Sequence, residues 1–155
     1  MICIKSGGVW VADLPFSDVL DLTTLTLATS GPDGEPHGAA LYFAADEKLR
    51  LYFFSDRDSQ HTQDVLGDRR AAVTIQPECD GWEEIHGLQM RGQVHLVQSG
   101  DEWERAWQIY VKKFPFVSEL QEIVARNQFF VFLPNWVRLV DNRRGFGYKS
   151  EWTLP

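Results

Sequence analysis

Alternating apolar and polar residues in the first two thirds of the chain predict a series of β-strands. Four segments show the pattern most clearly: TLTLATS (24–30), HGAALYFAA (37–45), LRLYFFS (49–55) and RAAVTIQ (70–76). A fifth strand is predicted over 88–96, where Leu88, Met90 and Val94 share one face and polar residues share the other. Turns at 31–34 and 46–48 have the length and residue types of hairpin connections. The pattern therefore predicts an antiparallel sheet.

The second half of the chain adds strands and short helices. The block FFVFLPNWVRLV (129–140) predicts one or two more strands, with Pro134 at an edge, a bend or a break. Ser99 and Glu102 have capping-box spacing, and the aromatic stripe that follows predicts an amphipathic helix that ends at Pro115. Core packing explains this stripe better than a cofactor wall does. A second short helix is predicted over 118–126, so the fold class is mainly β with helices, a β or α+β protein built on a small barrel.

Composition limits the range of functions. The chain has 155 residues, of which 44% are hydrophobic, which fits one domain over residues 1–155. Its formal charge of -7 argues against a nucleic-acid partner, because no basic stripe is present. No apolar run approaches the roughly 20 residues of a membrane span, and residues 1–8 lack the apolar core of a signal peptide, so a cytoplasmic protein is expected. Cys3 and Cys79 predict neither a disulfide framework nor a metal site.

The segment from Ser55 to His61 is the one place where the residues themselves indicate ligand chemistry. A strand ends at Ser55 and a helix is predicted to begin near Gln60, with Ser59 as its N-cap. Two hydroxyls, the free backbone N–H groups of a helix start and His61 can together coordinate a phosphate. The neighbouring Asp56 and Asp58 would repel an anion, and Arg57 offsets part of that repulsion. On spacing alone, an ordinary N-cap beside a solvated histidine is the better interpretation.

The run LATSGPDGEPHGAALYFAADEKLRLYFFSDRDSQHTQDVLGDRRAAVTI (27–75) resembles the pyridoxamine 5'-phosphate oxidase-like family of FMN-binding split β-barrels. The resemblance extends in order and spacing to about Val97, and the block WVRLVDNRRGFG (136–147) looks like a subgroup of small uncharacterised members. The resemblance implies a split barrel of about six antiparallel strands with a few short helices. It also implies a homodimer with two FMN sites at the dimer interface.

Site residues follow from the resemblance, position by position. The family's phosphate-binding turn falls on Ser59, Gln60 and His61, and the strand end before it falls on Phe54 and Ser55. The strand whose backbone passes along the flavin ring falls on four consecutive residues: Ala39, Ala40, Leu41 and Tyr42. Gln89, on the polar face of the fifth strand, is a further candidate for contact with the cofactor.

Three departures from the family pattern shape the expected function. Ala39 stands where the pyridoxamine phosphate oxidases have an arginine that grips the phosphate, and Gln60 and His61 stand where two basic residues are expected. The C-terminal signature that recognises pyridoxal phosphate is missing, so oxidation of vitamin B6 is not expected. The resemblance implies an FMN-dependent oxidoreductase that acts on an unidentified small molecule. A flavin-binding protein without turnover, or a barrel that binds haem or the deazaflavin F420, remains an alternative.

Overall fold

Residues 14–155 are described by the structure, which is a computed structural model. Cys3 and the segment 1–8, on which two of the sequence predictions rest, lie outside these residues. The strands are β1 (Thr24–Ser30), β2 (Pro36–Tyr42), β3 (Ala44–Ala45), β4 (Leu51–Asp56), β5 (Arg70–Ile75), β6 (His86–Leu96), β7 (Asn127–Asp141) and β8 (Lys149–Thr153). The α-helices are α1 (Ser17–Leu20), α2 (Gln60–Gly67), α3 (Asp101–Lys113) and α4 (Gln121–Arg126). Short 3₁₀ turns cover Trp82–Glu84, Pro115–Glu119 and Asn142–Arg144.

The strands form one antiparallel sheet that curls into a half-barrel, an α+β split-barrel-like fold. The strand order is β2-β1-β5-β6-β7-β4-β3, and β8 pairs with the free end of β7. Strands β2 and β4 lie close together without pairing, so the barrel stays open along that seam. The predicted fold class and antiparallel arrangement are confirmed. The described residues hold eight strands rather than about six, because the 37–45 segment is interrupted at Phe43 and β8 has no clear alternating pattern.

Strand β7 is a long strand of 15 residues, and a β-bulge in its pairing with the neighbouring β6 accommodates the proline in its middle. It pairs with β6, β4 and β8, so the predicted block of one or two strands is a single strand. The register against β6 shifts between Arg91 and Gly92, where Gly92 faces Pro134. A Cβ on Gly92 would lie 2.2 Å from the carbonyl oxygen of Leu133, so only glycine fits this bulge.

Two hydrophobic clusters pack against opposite faces of the sheet. The first fills the half-barrel and includes Leu27, Phe53 and Phe132; the second lies between the sheet and α3 and includes Tyr52 and Tyr110. Both faces of β4 are therefore buried, which is why its sequence is apolar at nearly every position.

The helices lie close to their predicted positions but begin differently. The predicted capping box is wrong: Gly100, at φ 90°, occupies the N-cap of α3, and the Glu102 carboxylate accepts a hydrogen bond from the backbone N–H of Gln98. The predicted helix over 118–126 consists of the 3₁₀ turn from Pro115 and the shorter α4. None of the helices within residues 14–155 is long and apolar enough to cross a membrane.

Candidate cofactor-binding site

The turn between β4 and α2 forms the base of the candidate site. The backbone N–H of Asp58 donates to the Asp56 carboxylate at 2.8 Å, an Asx turn that reverses the chain. Ser59 occupies the N-cap position, but its Oγ donates to the carbonyl oxygen of Asp56 at 2.9 Å and makes no bond to the helix backbone. The prediction that the Ser59 side chain caps α2 is therefore wrong. As a result, the N–H groups in the first turn of α2 have no side-chain cap.

Four side chains around this turn form a hydroxyl cluster: Ser55, Ser59, His61 and Thr62. Ser55 Oγ lies 2.5 Å from His61 Nε2 and 3.2 Å from Ser59 Oγ, and the Thr62 hydroxyl donates to it at 3.1 Å. Ser59 Oγ lies 3.2 Å from the same histidine nitrogen. The structure thus brings together three of the residues predicted from sequence.

The hydroxyl cluster favours an uncharged histidine. Burial lowers the pKa of His61 below its ordinary 6.5, and the nearby Asp64 only partly opposes this effect. The cluster therefore offers hydrogen-bond donors and acceptors rather than a fixed positive charge. A phosphate held here would depend on neutral donors and on the positive end of α2.

A carboxylate cluster lies on the other side of the first turn of α2 and consists of Thr29, His37, Gln60 and Asp64. Asp64 is only 2% exposed, and its carboxylate accepts hydrogen bonds from the Thr29 hydroxyl at 2.7 Å and the Gln60 amide at 2.9 Å. His37 Nδ1 lies 2.6 Å from the same carboxylate. Burial raises the pKa of Asp64, but these hydrogen bonds outweigh it and hold the pKa below the ordinary value of 3.8. Gln60, predicted at the phosphate turn, thus directs its amide towards a carboxylate.

The residues predicted to contact the flavin ring lie along an apolar cleft beside β2. Ala40, Leu41, Tyr42 and Phe54 line this cleft of about 230 Å³, whose other wall comes from α3, α4 and the turn between them. Ala39 is half-buried on the inner face of β2, whereas Ala40 and Tyr42 face outwards and are exposed. Ser55 lies on the opposite face of β4 from Phe54, so the hydroxyl cluster and the cleft lie on opposite sides of the end of that strand.

Gln89 lies apart from the other predicted residues. It stands on the outer face of β6, where its amide oxygen accepts a hydrogen bond from Arg138 Nη1 at 3.4 Å. On β7, its partner Arg138 lies ten positions from Gln128, the partner of Ser55, a distance of roughly 30 Å at about 3.3 Å per residue. Within one subunit, Gln89 therefore does not join the site.

Sequence reasoning missed five residues of this region: Thr29, His37, Thr62, Asp64 and Gln128. His37 and Asp64 were not assigned to it, because their contact joins residues 27 positions apart. Gln128 faces Ser55 across the pairing of β4 with β7, and its Oε1 is buried without a hydrogen-bond partner among the described residues. The i, i+4 spacing of Gln60 and Asp64 was the only local signal for the carboxylate cluster. An unpaired buried acceptor beside Ser55 fits a ligand that carries donors, such as a sugar-alcohol chain.

Comparisons with known proteins give a consistent result. The family model described as pyridoxamine 5'-phosphate oxidase matches residues 18–141. A UPF0306 protein of Klebsiella pneumoniae is 32% identical over 114 residues, which cover 73% of this chain and 73% of that protein.

Solved structures share the fold at low sequence identity. A conserved hypothetical protein from Mycobacterium tuberculosis superposes with a TM-score of 0.72 and 19% identity, covering 91% of this chain and 92% of that one. A haem-binding protein from Mycobacterium smegmatis superposes with a TM-score of 0.74 and 16% identity, covering 97% of this chain and 59% of that one. At these identities the likeness concerns the fold alone.

Proposed function

Because this chain belongs to the pyridoxamine 5'-phosphate oxidase family, we propose that it binds FMN and acts as an FMN-dependent oxidoreductase on a small molecule. The observation that carries the proposal is the end of β4, where the hydroxyl cluster and the uncapped start of α2 adjoin Ser55, and the neighbouring Phe54 lines the apolar cleft. Such a site offers hydrogen-bond donors to a phosphate and apolar walls to a flat ring, the two parts of FMN.

Each part of the site has a defined task in this proposal. Ser55 and Ser59, with the N–H groups of α2, hold the phosphate, and His61 adds a ring nitrogen at the same position. The small side chain of Ala40 lets the ring approach the β2 backbone, and Phe54 forms an apolar wall. When bound, the flavin supplies the redox chemistry, while the protein positions it and excludes water.

The buried acceptor Gln128 Oε1 supports a ligand with a polyhydroxy chain. Its position opposite Ser55 lies between the phosphate turn and the interior of the barrel. A hydroxyl of the ribityl chain would supply the hydrogen bond that this oxygen lacks, and a buried acceptor without a donor costs about 1 to 3 kcal/mol.

The proposal includes a homodimer with the cofactor at the interface. Tyr42 is 54% exposed on the edge strand β2, and Phe116 and Ile123, on the facing helical wall, are equally open, so this apolar region suits burial by a second subunit. Gln89, which lies too far from the site in its own subunit, would then serve the cofactor of the other subunit. Sedimentation equilibrium measures the mass in solution, and a monomer at all concentrations would reject this part of the proposal.

The absorption spectrum and a pair of flavins test the proposed cofactor. FMN should bind more tightly than riboflavin, which lacks the phosphate, and Ser59→Ala should weaken FMN binding about ten- to a hundredfold while leaving riboflavin unchanged, since one hydrogen bond to a charged group is lost. Flavin fluorescence quenching measures both affinities. Ser99→Ala, which removes an exposed serine outside the site, is the matched control.

Four results would change the proposal. Equal binding of FMN and riboflavin would place the phosphate elsewhere. A haem band in the spectrum of the purified protein would replace FMN by haem, the ligand named for the M. smegmatis neighbour, and a released deazaflavin would replace it by F420. Tight FMN binding without flavin reduction by NADH or NADPH, and without reoxidation by oxygen, would favour a flavin-binding protein without turnover.

A further inference from the structure

A second cleft, of about 480 Å³, opens between β4, β7 and the two helices α3 and α4. Its volume lies in the range of small-molecule sites, roughly 300 to 1,000 Å³. Four aromatic rings and two amides line it: Phe54, Trp103, Trp107, Phe129, Gln121 and Asn127. The aromatic stripe of α3, which the sequence predicts as core, therefore contributes only in part to the core.

The two tryptophans of this cleft are not fully buried by packing against the core. On the same stripe of α3, Ala106 and Tyr110 are buried, whereas Trp103 and Trp107 remain partly exposed. Their rings lie parallel within 16°, with centroids 5.4 Å apart. Two adjacent indoles held in this way offer a flat apolar surface to the solvent side of the cleft.

The other aromatic wall stands at right angles to the indoles. The rings of Phe54 and Phe129 stack with centroids 4.1 Å apart and an interplanar angle of 2°. Phe54 meets Trp107 at 84°, and Trp103 meets Phe129 at 74°. The two walls therefore contact each other edge to face, which is the arrangement that aromatic pairs prefer, and a flat ring can stack on the part of a wall that faces the cleft.

The chemistry of the lining specifies an uncharged occupant. The remaining lining residues, Val124 and Ala125, are apolar, and no lining residue carries a charge. A charged group would lose part of its hydration here without gaining a partner, which disfavours phosphates, carboxylates and haem propionates. The amides of Gln121 and Asn127 can each donate a hydrogen bond to a hydroxyl, a carbonyl or a ring nitrogen, and each can accept one from a hydroxyl.

We propose that this cleft is a binding site for an uncharged, planar aromatic small molecule of about two fused rings. The site is separate from the hydroxyl cluster, and its occupation does not depend on whether FMN is the cofactor. The two clefts share Phe54, Val124 and Asn127, so a molecule bound here would lie beside the proposed flavin.

Titration calorimetry with 2-naphthol and two comparators tests the proposal on the purified full chain. Naphthalene-2-sulfonate keeps the ring system but adds a charge, and decahydro-2-naphthol keeps the hydroxyl but is saturated and not flat. We expect 2-naphthol to bind and each comparator to bind about tenfold more weakly or not at all. Absence of 2-naphthol binding at 1 mM, or equal binding of either comparator, would overturn the proposal.

Two variants localise the binding. Trp107→Ala should weaken 2-naphthol about tenfold, the loss typical of one stacking aromatic side chain. Ala125→Trp fills the cleft from the exposed face of α4 without removing a core residue, and it should abolish binding while leaving the melting temperature close to that of the parent protein. Trp82→Ala, at an exposed tryptophan that packs on Phe146 away from the cleft, is the matched control. Unchanged binding in both cleft variants would overturn the proposal.

Discussion

The two sides of the first turn of α2 are built in opposite ways. The hydroxyl cluster is local, since its contacts join residues at most seven positions apart along the chain. The carboxylate cluster is long-range, since Asp64 contacts Thr29 and His37 from 35 and 27 positions away. The local side suits a ligand, and the long-range side attaches the helix to the sheet. One helix turn thus combines the proposed binding role with a structural role.

The two clusters differ in charge as well as in the sequence separation of their contacts. Asp64 is an ionised, buried carboxylate, and removing it leaves the buried Thr29 hydroxyl without its acceptor. The hydroxyl cluster holds no fixed charge, because burial lowers the pKa of His61. We therefore expect changes in the carboxylate cluster to affect stability, and changes in the hydroxyl cluster to affect ligand binding and pH dependence.

Asp64→Ala should give the largest effect. The Thr29 hydroxyl and the half-buried His37 ring lose their acceptor, so the free energy of unfolding should fall by about 2 to 4 kcal/mol. Urea denaturation followed by circular dichroism measures this change.

The control for this variant is Asp68→Ala, at the end of the same helix. Asp68 pairs only with the exposed Arg70, and exposed ion pairs contribute little, so its loss should leave the unfolding curve almost unchanged. A loss below 1 kcal/mol for Asp64→Ala would show that the carboxylate cluster does not hold α2 to the sheet.

The sequence locates the hydroxyl cluster because its residues are close together along the chain, although spacing alone favours an ordinary N-cap beside a solvated histidine. Residues 55–62 contain the sequence signals of a strand end, a Ser/Asp-rich turn and a helix start. The structure brings Ser55, Ser59 and His61 together there. The sequence does not show whether the Ser59 side chain caps α2, because its hydroxyl can instead donate to the carbonyl oxygen of Asp56, as it does in the structure. The carboxylate cluster depends on which strand ends meet α2, and this depends on the order of strands in the sheet.

The same distinction holds for the fold. The bounds of β1 and β5 agree with their apolar alternation, because each has one buried face. The long β7 was harder to predict, since its proline is accommodated by a bulge whose partner, Gly92, lies 42 positions earlier. Strand β8, with the sequence KSEWT, has Trp152 as its single apolar residue, so its sequence shows no alternation of apolar and polar residues.

His61→Gln should produce a medium effect that appears only in mildly acidic solution. The folded protein holds the pKa of His61 below 6.5, so the unfolded chain binds the proton more readily. The stability from this group is therefore complete above pH 6.5 and is lost as the pH falls through the lowered value. The free energy of unfolding of the parent protein should decrease between pH 7 and pH 5, and this decrease should be smaller in the variant.

Urea denaturation at several pH values makes this measurement. Asp64, whose pKa lies below 3.8, stays ionised throughout this window. His95→Gln serves as the matched control, because His95 lies on β6 beside Arg69 and outside both clusters. If the slope is the same in His61→Gln as in the parent protein, the hydroxyl cluster does not hold the histidine in its neutral form.

Gln60→Ala should have the smallest effect and decides to which cluster Gln60 belongs. Its amide donates one hydrogen bond to Asp64 from an exposed position, so we expect a loss of about 0.5 kcal/mol in urea denaturation. If Gln60 belongs only to the carboxylate cluster, the variant should bind FMN with nearly the affinity of the parent protein, while Ser59→Ala binds it more weakly. A larger loss of FMN binding in Gln60→Ala than in Ser59→Ala would assign Gln60 to the phosphate site. Gln60 would then belong to both clusters, with its hydrogen bond to Asp64 as its structural contact.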